Sequence, residues 1–322
     1  MTARGTPVHF DEAAVIAGLG FPACIAAVRE AMIQLSAGDT RQLPRTMISM
    51  GEQKTFAQMS GAVAAGGYFG SKLVSVFADP KQQGRTRHEG LVILFDGATG
   101  LPVCTLDAGA ITQIRTAAAT AVATAALARS DAEVLALIGC GHQAQAHVEA
   151  LARVRSLRRI IVWGRARKRT AAFADSLFQR LGLTVELAPD AQTAVLDADI
   201  VCTLTGAKEP VLLGEWIRPG AHVNLVGSSG PGAVEVDDAL VLRSRYFVES
   251  RENAGVAASE FLRAKAAGLI SDRHIVAEIG EVLAGSAAGR TGPDEITVYK
   301  SVGHVVQDLA AARYLYEQHC AG

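Results

Sequence analysis

The chain has 322 residues, 49% of them hydrophobic, and a formal net charge of −1. This length fits about two domains rather than one small core, and near-neutral charge gives nucleic acid or an anionic membrane no electrostatic hold. Five scattered cysteines with no CxxC pair (Cys24, Cys104, Cys140, Cys202 and Cys320) suit free thiols in a reducing cytoplasm. The N-terminus, MTARGTPVHFDE, has no apolar signal core, and the longest apolar stretch, AAATAVATAALA (117–128), is too short and too rich in small residues to span a bilayer.

Residues 11–37, DEAAVIAGLGFPACIAAVREAMIQLSA, read as a helix. Strand-like pieces follow: RTMISM (45–50), TFAQMS (55–60), GSKLVSVFA (70–78) and GLVILFD (90–96). TGLPVCTLD (99–107) closes a hairpin through DGATG, so this part reads as a mixed or antiparallel sheet. GAITQIRTAAATA (109–121) then enters a helix of small residues.

From residue 134 strands alternate with helices. VLALI (134–138), RIIVWG (159–164), TVELA (184–188), ADIVCTLTG (198–206), HVNLVGS (222–228) and RYFVES (245–250) read as strands. QAQAHVEALARV (143–154) and RKRTAAFADSLFQRLG (167–182) have helical spacing. This alternation implies a parallel, doubly wound sheet, an α/β architecture beside the first, α+β part. The tail is a strand, EITVYKSVG (295–303), and a helix, HVVQDLAAARYLYEQH (304–319). Because it follows the end of the alternating series, the tail is expected to fold back onto the first domain.

Gly139-Cys140-Gly141-His142-Gln143-Ala144 lies between a strand and a helix. Gly139 permits the tight turn, Gly141 lets backbone approach a pyrophosphate, and Ala144 allows close helix–strand packing. The helix N-terminus offers free N–H groups to phosphate. At the end of the second strand, where an NAD site usually has Asp or Glu, the chain reads Trp163-Gly164-Arg165-Ala166-Arg167-Lys168-Arg169. Guanidinium groups there suit a 2′-phosphate, so NADP(H) is favoured over NAD(H). The alternatives are a purely structural turn and a solvated basic helix start. Cys140 reads as a small filler.

Arg115, followed by alanines and threonines, needs an anion or water for its guanidinium. Lys72 has apolar strand neighbours, so a buried ammonium there needs a partner. Arg45 opens another strand. The three could converge on one carboxylate, although from spacing alone each reads equally as structural or exposed.

At these residues the sequence resembles the ornithine cyclodeaminase/mu-crystallin family, across nearly its whole length. The matching stretches are LPRT, SKLVSVF, HEGLVILFDGATGLP, GAITQIRTAAATA, ALIGCGHQAQAH, VNLVGSSGPGAVEVD and YKSVGHVVQDLAAA. The resemblance implies a Rossmann domain over 115–297, and a substrate-binding and dimerisation domain over 1–114 plus 298–322, in a homodimer. It implies NAD(H) or NADP(H) and an α-amino or α-imino acid substrate whose carboxylate is held by Arg45, Lys72 and Arg115. Cofactor contacts are expected from Thr116 at the phosphates, Val302 and Gly303 at the nicotinamide, and Gly139, Gly141, His142, Gln143, Arg165, Arg167, Lys168, Thr203, Thr205, Val226, Gly227 and Ser228.

One departure matters. Ornithine cyclodeaminases carry an Asp in the loop that here reads Val226-Gly227-Ser228-Ser229-Gly230-Pro231, and Ser229 stands in its place. A hydroxyl is not a carboxylate base near neutral pH. The reading is therefore an NAD(P)H-dependent reductase of an α-imino acid, either a cyclic ketimine or an open imine such as iminosuccinate. Lys72 would be proton donor or anchor, and Ser229, His88 and His304 further candidates. Arg85 and Arg87 could meet a second carboxylate. The alternatives are a cyclodeaminase-type lyase, an amino-acid dehydrogenase and a non-catalytic NADPH-dependent binding protein.

Overall fold

The computed structural model describes residues 6–52, 54–63, 67–78, 86–230 and 232–321, without the side chains of 78, 86 and 87. Arg85, Pro231 and the Arg87 side chain lie outside the described residues. The chain divides into two compact units: the described residues through Ala118 with those from His304 onward, and Ala119–Gly303.

The first unit begins with β1 (Val8–Phe10), α1 (Glu12–Gly18) and α2 (Phe21–Ser36). The single helix read over 11–37 is thus two helices, bent by 88°. Asp11 caps α1 by accepting the N–H of Ala14 at 2.8 Å, and Pro22 lies in the first turn of α2. Proline has no N–H to offer a carbonyl one turn back, so the helix stops and restarts there.

β2 (Arg41–Gln42), β3 (Thr46–Ser49), β4 (Lys54–Ala62), β5 (Tyr68–Ala78), β6 (Thr86–Asp96) and β7 (Pro102–Asp107) join β1 in a seven-stranded sheet. Its order is β1-β7-β6-β5-β4-β2, with β3 on β4. Among the described residues only β1 runs parallel to its neighbour; the other pairs are antiparallel. The two-residue period sorts the faces. Lys72 and Val74 are buried on one face, while Ile48, Phe56, Phe69, Phe77 and Leu91 stay exposed on the other. α3 (Ala108–Leu127) starts directly after β7.

The second unit is an eight-stranded, wholly parallel sheet. Its strands are β8 (Val134–Ile138), β9 (Arg159–Trp163), β10 (Val185–Leu187), β11 (Ile200–Thr203), β12 (His222–Leu225), β13 (Ser244–Val248), β14 (Ile275–Glu278) and β15 (Ile296–Lys300). Their spatial order is β10-β9-β8-β11-β12-β15-β13-β14. Between them run α4 (His142–Leu151), α5 (Arg167–Leu181), α6 (Ala191–Val195), α7 (Asp238–Arg243), α8 (Arg251–Ala257), α9 (Ser259–Ala266) and α10 (Ile279–Leu283). This is the doubly wound α/β class expected from the alternation.

One expectation is corrected. The strand of the tail does not fold back onto the first domain: β15 inserts between β12 and β13, parallel to both. All its residues are buried, and such a strand needs a hydrogen-bonding neighbour at each edge and cover on both faces. The boundary read at 297/298 would cut this strand. The units instead divide at Gly303/His304 and, within α3, at Ala118/Ala119. Only α11 (Val305–Ala321) belongs to the first unit, where it packs on α2 and on β4, β5 and β6. Glycines permit that approach: a Cβ at Gly61 would lie 2.8 Å from a Val305 methyl. No single helix among the described residues is long and apolar enough to cross a membrane.

Candidate active site

In the second unit the strand order reverses between β8 and β11, and ligands of such sheets bind in the crevice beyond the carboxyl ends of those strands. β8 ends at Ile138, and Gly139 turns with φ 120°, a left-handed value that favours glycine. A Cβ on Gly139 would lie 2.6 Å from the Leu204 carbonyl, so this glycine also lets the loops after β8 and β11 touch. Gly141, the N-cap of α4, differs: a Cβ there would meet nothing within 4 Å. Its backbone therefore borders open space at a helix N-terminus, where N–H groups lack intrahelical partners. Two residues on, the buried Oε1 of Gln143 has no hydrogen-bond partner. An approachable turn whose N–H groups lack intrahelical partners fits the acceptor oxygens of a dinucleotide pyrophosphate.

At the ends of β9 and β10 lies a cavity of about 430 Å³, lined by Trp163, Arg165, Arg167, Thr170, Leu187 and Pro189 among others. Of the expected cations, Arg165 and Arg167 line it; Lys168 is exposed in the first turn of α5 and does not. Cys140 packs beside it, its Sγ 3.6 Å from the Thr170 hydroxyl.

The loops after β11 and β12 are bound together by Glu235, a residue the sequence reading did not single out. It accepts the Thr203 hydroxyl at 2.8 Å, the Thr205 N–H at 2.7 Å and hydroxyl at 2.8 Å, and the Ser228 N–H at 2.9 Å. Burial raises the Glu235 pKa, opposed by the charge of Lys300 and by the N–H and hydroxyl donors. Lys300, itself fully buried, donates to the Ser228 carbonyl at 2.6 Å and pairs with Glu260 at 3.0 Å. Water is excluded from the Lys300–Glu260 pair, both side chains being fully buried, which strengthens their attraction. Thr203 and Ser228, expected at the cofactor, are thus fully buried and turned to Glu235, and shape the loops. Val226 is buried, and Gly227 permits the contact: a Cβ there would lie 2.1 Å from the Thr205 carbonyl. Ser229 follows at a half-buried position.

Val302 and Gly303 are held by Glu249, also missed. Its carboxylate accepts both backbone N–H groups, at 3.1 and 2.7 Å, and the hydroxyls of Ser301 and Tyr299 at 2.9 and 3.1 Å.

In the first unit Lys72 and Arg115 meet on one carboxylate. Asp308 Oδ1 lies 2.8 Å from Lys72 Nζ and 3.0 Å from Arg115 Nε, all three groups being buried. Lys72 comes from the inward face of β5, Arg115 from α3 and Asp308 from the first turn of α11. Lys72 also donates to the Thr112 hydroxyl, and Arg115 Nη1 donates to Gln307 Oε1 at 2.7 Å. Asp308 Oδ2 is buried with no hydrogen-bond partner. Burial lowers the Lys72 pKa to about 8; Asp308 opposes this, while Arg115 and Arg45 add to it. Burial works against the charge of Asp308 as well, but Arg115 and Lys72 outweigh it and hold its pKa below the usual carboxylate value. Arg45, half-buried before β3, acts on Lys72 through its charge.

Of the other candidates, His304 lies one helical turn before Asp308, Thr116 adjoins Arg115, and His88 is the most remote along its strand. His88 is exposed and pairs with Val76 in the sheet, four residues from the Lys72–Val92 pair, roughly 13 Å along the strand. His304 is buried, and its Nδ1 accepts the Val306 N–H at 3.3 Å at the start of α11, the position of a helix cap. Thr116 is buried on α3 one step from Arg115, on a different face of that helix.

A parallel sheet with this strand order, a glycine turn opening onto a helix N-terminus and an arginine-lined cavity define a protein of the Rossmann dinucleotide-binding class. The sequence matches the ornithine cyclodeaminase/mu-crystallin family over residues 11–322, and the chain belongs to that family. Ketimine reductase mu-crystallin of Mus musculus is 34% identical over 286 residues, 88% of this chain and 87% of the relative. A Delta(1)-pyrroline-2-carboxylate reductase of Bacillus cereus is 35% identical over 290 residues, 89% of each. The structure of Thermococcus litoralis Delta(1)-pyrroline-2-carboxylate reductase in complex with NADH and L-proline superposes with a TM-score of 0.92 at 30% identity, covering 98% of both chains.

Proposed function

We propose that this chain is an oxidoreductase that reduces the C=N bond of an α-imino acid, a cyclic ketimine such as Δ1-pyrroline-2-carboxylate or Δ1-piperideine-2-carboxylate before an open imine such as iminosuccinate. The observation that carries the reading is the buried Lys72–Asp308–Arg115 cluster in a chain whose relatives are named as reductases of such imines. A bound NAD(P)H supplies the hydride to the imine carbon. Arg115 and Arg45 hold the substrate carboxylate, the guanidinium fork suiting its two oxygens. Lys72 gives a proton to the imine nitrogen, is left as a neutral amine and regains a proton from solvent. The new C–H and N–H bonds replace the C=N π bond, and the product is the α-amino acid.

Gly139, Gly141 and Gln143 would hold the pyrophosphate, with Arg165 and Arg167 on a ribose 2′-phosphate, so NADPH is the preferred donor. Ser229, in place of a carboxylate, is the feature that favours reduction over cyclising deamination. The exposed apolar face carrying Phe56, Phe69, Phe77 and Leu91 favours a homodimer through that sheet.

The test is NADPH and NADH oxidation with the three imines, with and without ammonia, beside light scattering for the dimer. Turnover of a preformed imine without ammonia supports the reductase. Failure with all three, or conversion of ornithine to proline without net cofactor consumption, overturns it.

A further inference from the structure

We infer that Asp308 is a positioning residue for catalysis: through the contact of its Oδ1 with Lys72 Nζ it keeps the lysine charged and aimed as the proton donor. The inference rests on the proposed reductase reading, in which Lys72 protonates the imine nitrogen.

The geometry is specific. Lys72 is 3% exposed, so water does little to stabilise its ammonium. Every charged group shown to act on it is named: Arg115 from α3 and Arg45 before β3, both repelling it, and Asp308 from α11, attracting it. Thr112 contributes a neutral hydroxyl. Cys24 of α2 is also buried near Arg115 and Asp308, its thiol pushed up to about 12 by burial and therefore neutral. Asp308 is the only anion in that set. It spends one oxygen on both cations and leaves Oδ2 buried and unpaired. A carboxylate needed only to neutralise Arg115 gains from a two-oxygen fork; here Arg115 sends Nη1 to Gln307 instead, and Oδ1 is shared with the lysine. A donor with two cations beside it and no anion would lose its proton at a lower pH and rest more in the form unable to give one.

Two measurements on the full-length protein test this. The first is NMR titration of 13C-labelled lysine, with Lys72 assigned from the spectrum of Lys72→Arg. The second is the alkaline limb of the kcat profile for NADPH-dependent reduction of Δ1-pyrroline-2-carboxylate. In Asp308→Asn, Lys72 titrates at least about one pH unit lower than in wild type, and the alkaline limb moves down with it. Asp308→Glu restores both towards the wild-type position. A merely structural aspartate would lower kcat at every pH and leave both positions unmoved. An unshifted Lys72 titration in folded Asp308→Asn overturns the inference. If that variant does not fold, Asp308→Ser takes its place: the same downward movement of the Lys72 titration supports the inference, and an unshifted titration overturns it. If wild type turns over no imine, the proposed reaction fails, while the titration still reports whether Asp308 holds the lysine proton.

Discussion

Glu249 accepts the backbone N–H of Gly303 at 2.7 Å, from a fully buried carboxylate at the end of β13. The same carboxylate takes the Val302 N–H and the Ser301 and Tyr299 hydroxyls. Glu249→Ala would strand these buried donors, at about 1–3 kcal/mol each. Urea unfolding should show a loss of at least about 3 kcal/mol, with Glu249→Gln losing less because an amide oxygen still accepts. An unchanged midpoint in Glu249→Ala would mean that other groups carry this loop.

The two glycines of the turn should respond in opposite ways. Gly139→Ala meets both a φ of 120° and the Leu204 carbonyl, so the protein should lose about 2 kcal/mol or more of stability. Gly141→Ala has an ordinary φ of −84° and room for the methyl. It should unfold at the wild-type midpoint yet bind NADPH tenfold or more weakly, read from quenching of intrinsic fluorescence. Wild-type affinity in Gly141→Ala would remove the cofactor from this turn.

Arg165 and Arg167 line the cavity at the end of the second strand. A hydrogen bond to a charged group is worth about 1.5–3 kcal/mol, so removing either guanidinium should raise the KM for NADPH tenfold or more. The KM for NADH should move little. Equal loss for both cofactors would show that the cavity does not read the 2′-phosphate.

Acid should unfold the second unit early. Burial lowers the pKa of His147 from 6.5 to about 4 and that of His222 to about 3. Both folded values lie below the unfolded one, so the unfolded chain binds more protons between them. The stability these groups contribute is complete above about pH 6.5 and is lost as pH falls toward the folded values, about 2–3 kcal/mol for each by pH 4.5. Denaturant midpoints at the two pH values check this, and His147→Gln should flatten the dependence.

Much of the fold was legible because its signals are local. Strand–helix alternation, the glycine turn and the missing carboxylate after Trp163 are each read within one element and its neighbours. Lys72 and Arg115 could be singled out because a charge among apolar residues needs an anion. The sequence could not say which anion: Asp308 is 236 residues from Lys72 and looks like any acid in the first turn of a helix. Glu235 and Glu249 escaped notice for the same reason, since a carboxylate that gathers hydroxyls and N–H groups from other loops has no spacing of its own. The position of β15 was misjudged because buried parallel strands look alike whatever their order.

By itself the chain determined its family, its two kinds of sheet, the glycine turn and the positive side chains that seek an acid group, because backbone conformation and side-chain burial follow from neighbouring residues. Only the tertiary structure decided the place of β15, the clamps made by Glu235 and Glu249, and the sharing of Asp308 between Lys72 and Arg115. Those depend on which distant segments are brought within hydrogen-bonding distance once water is excluded, and no local pattern encodes that choice.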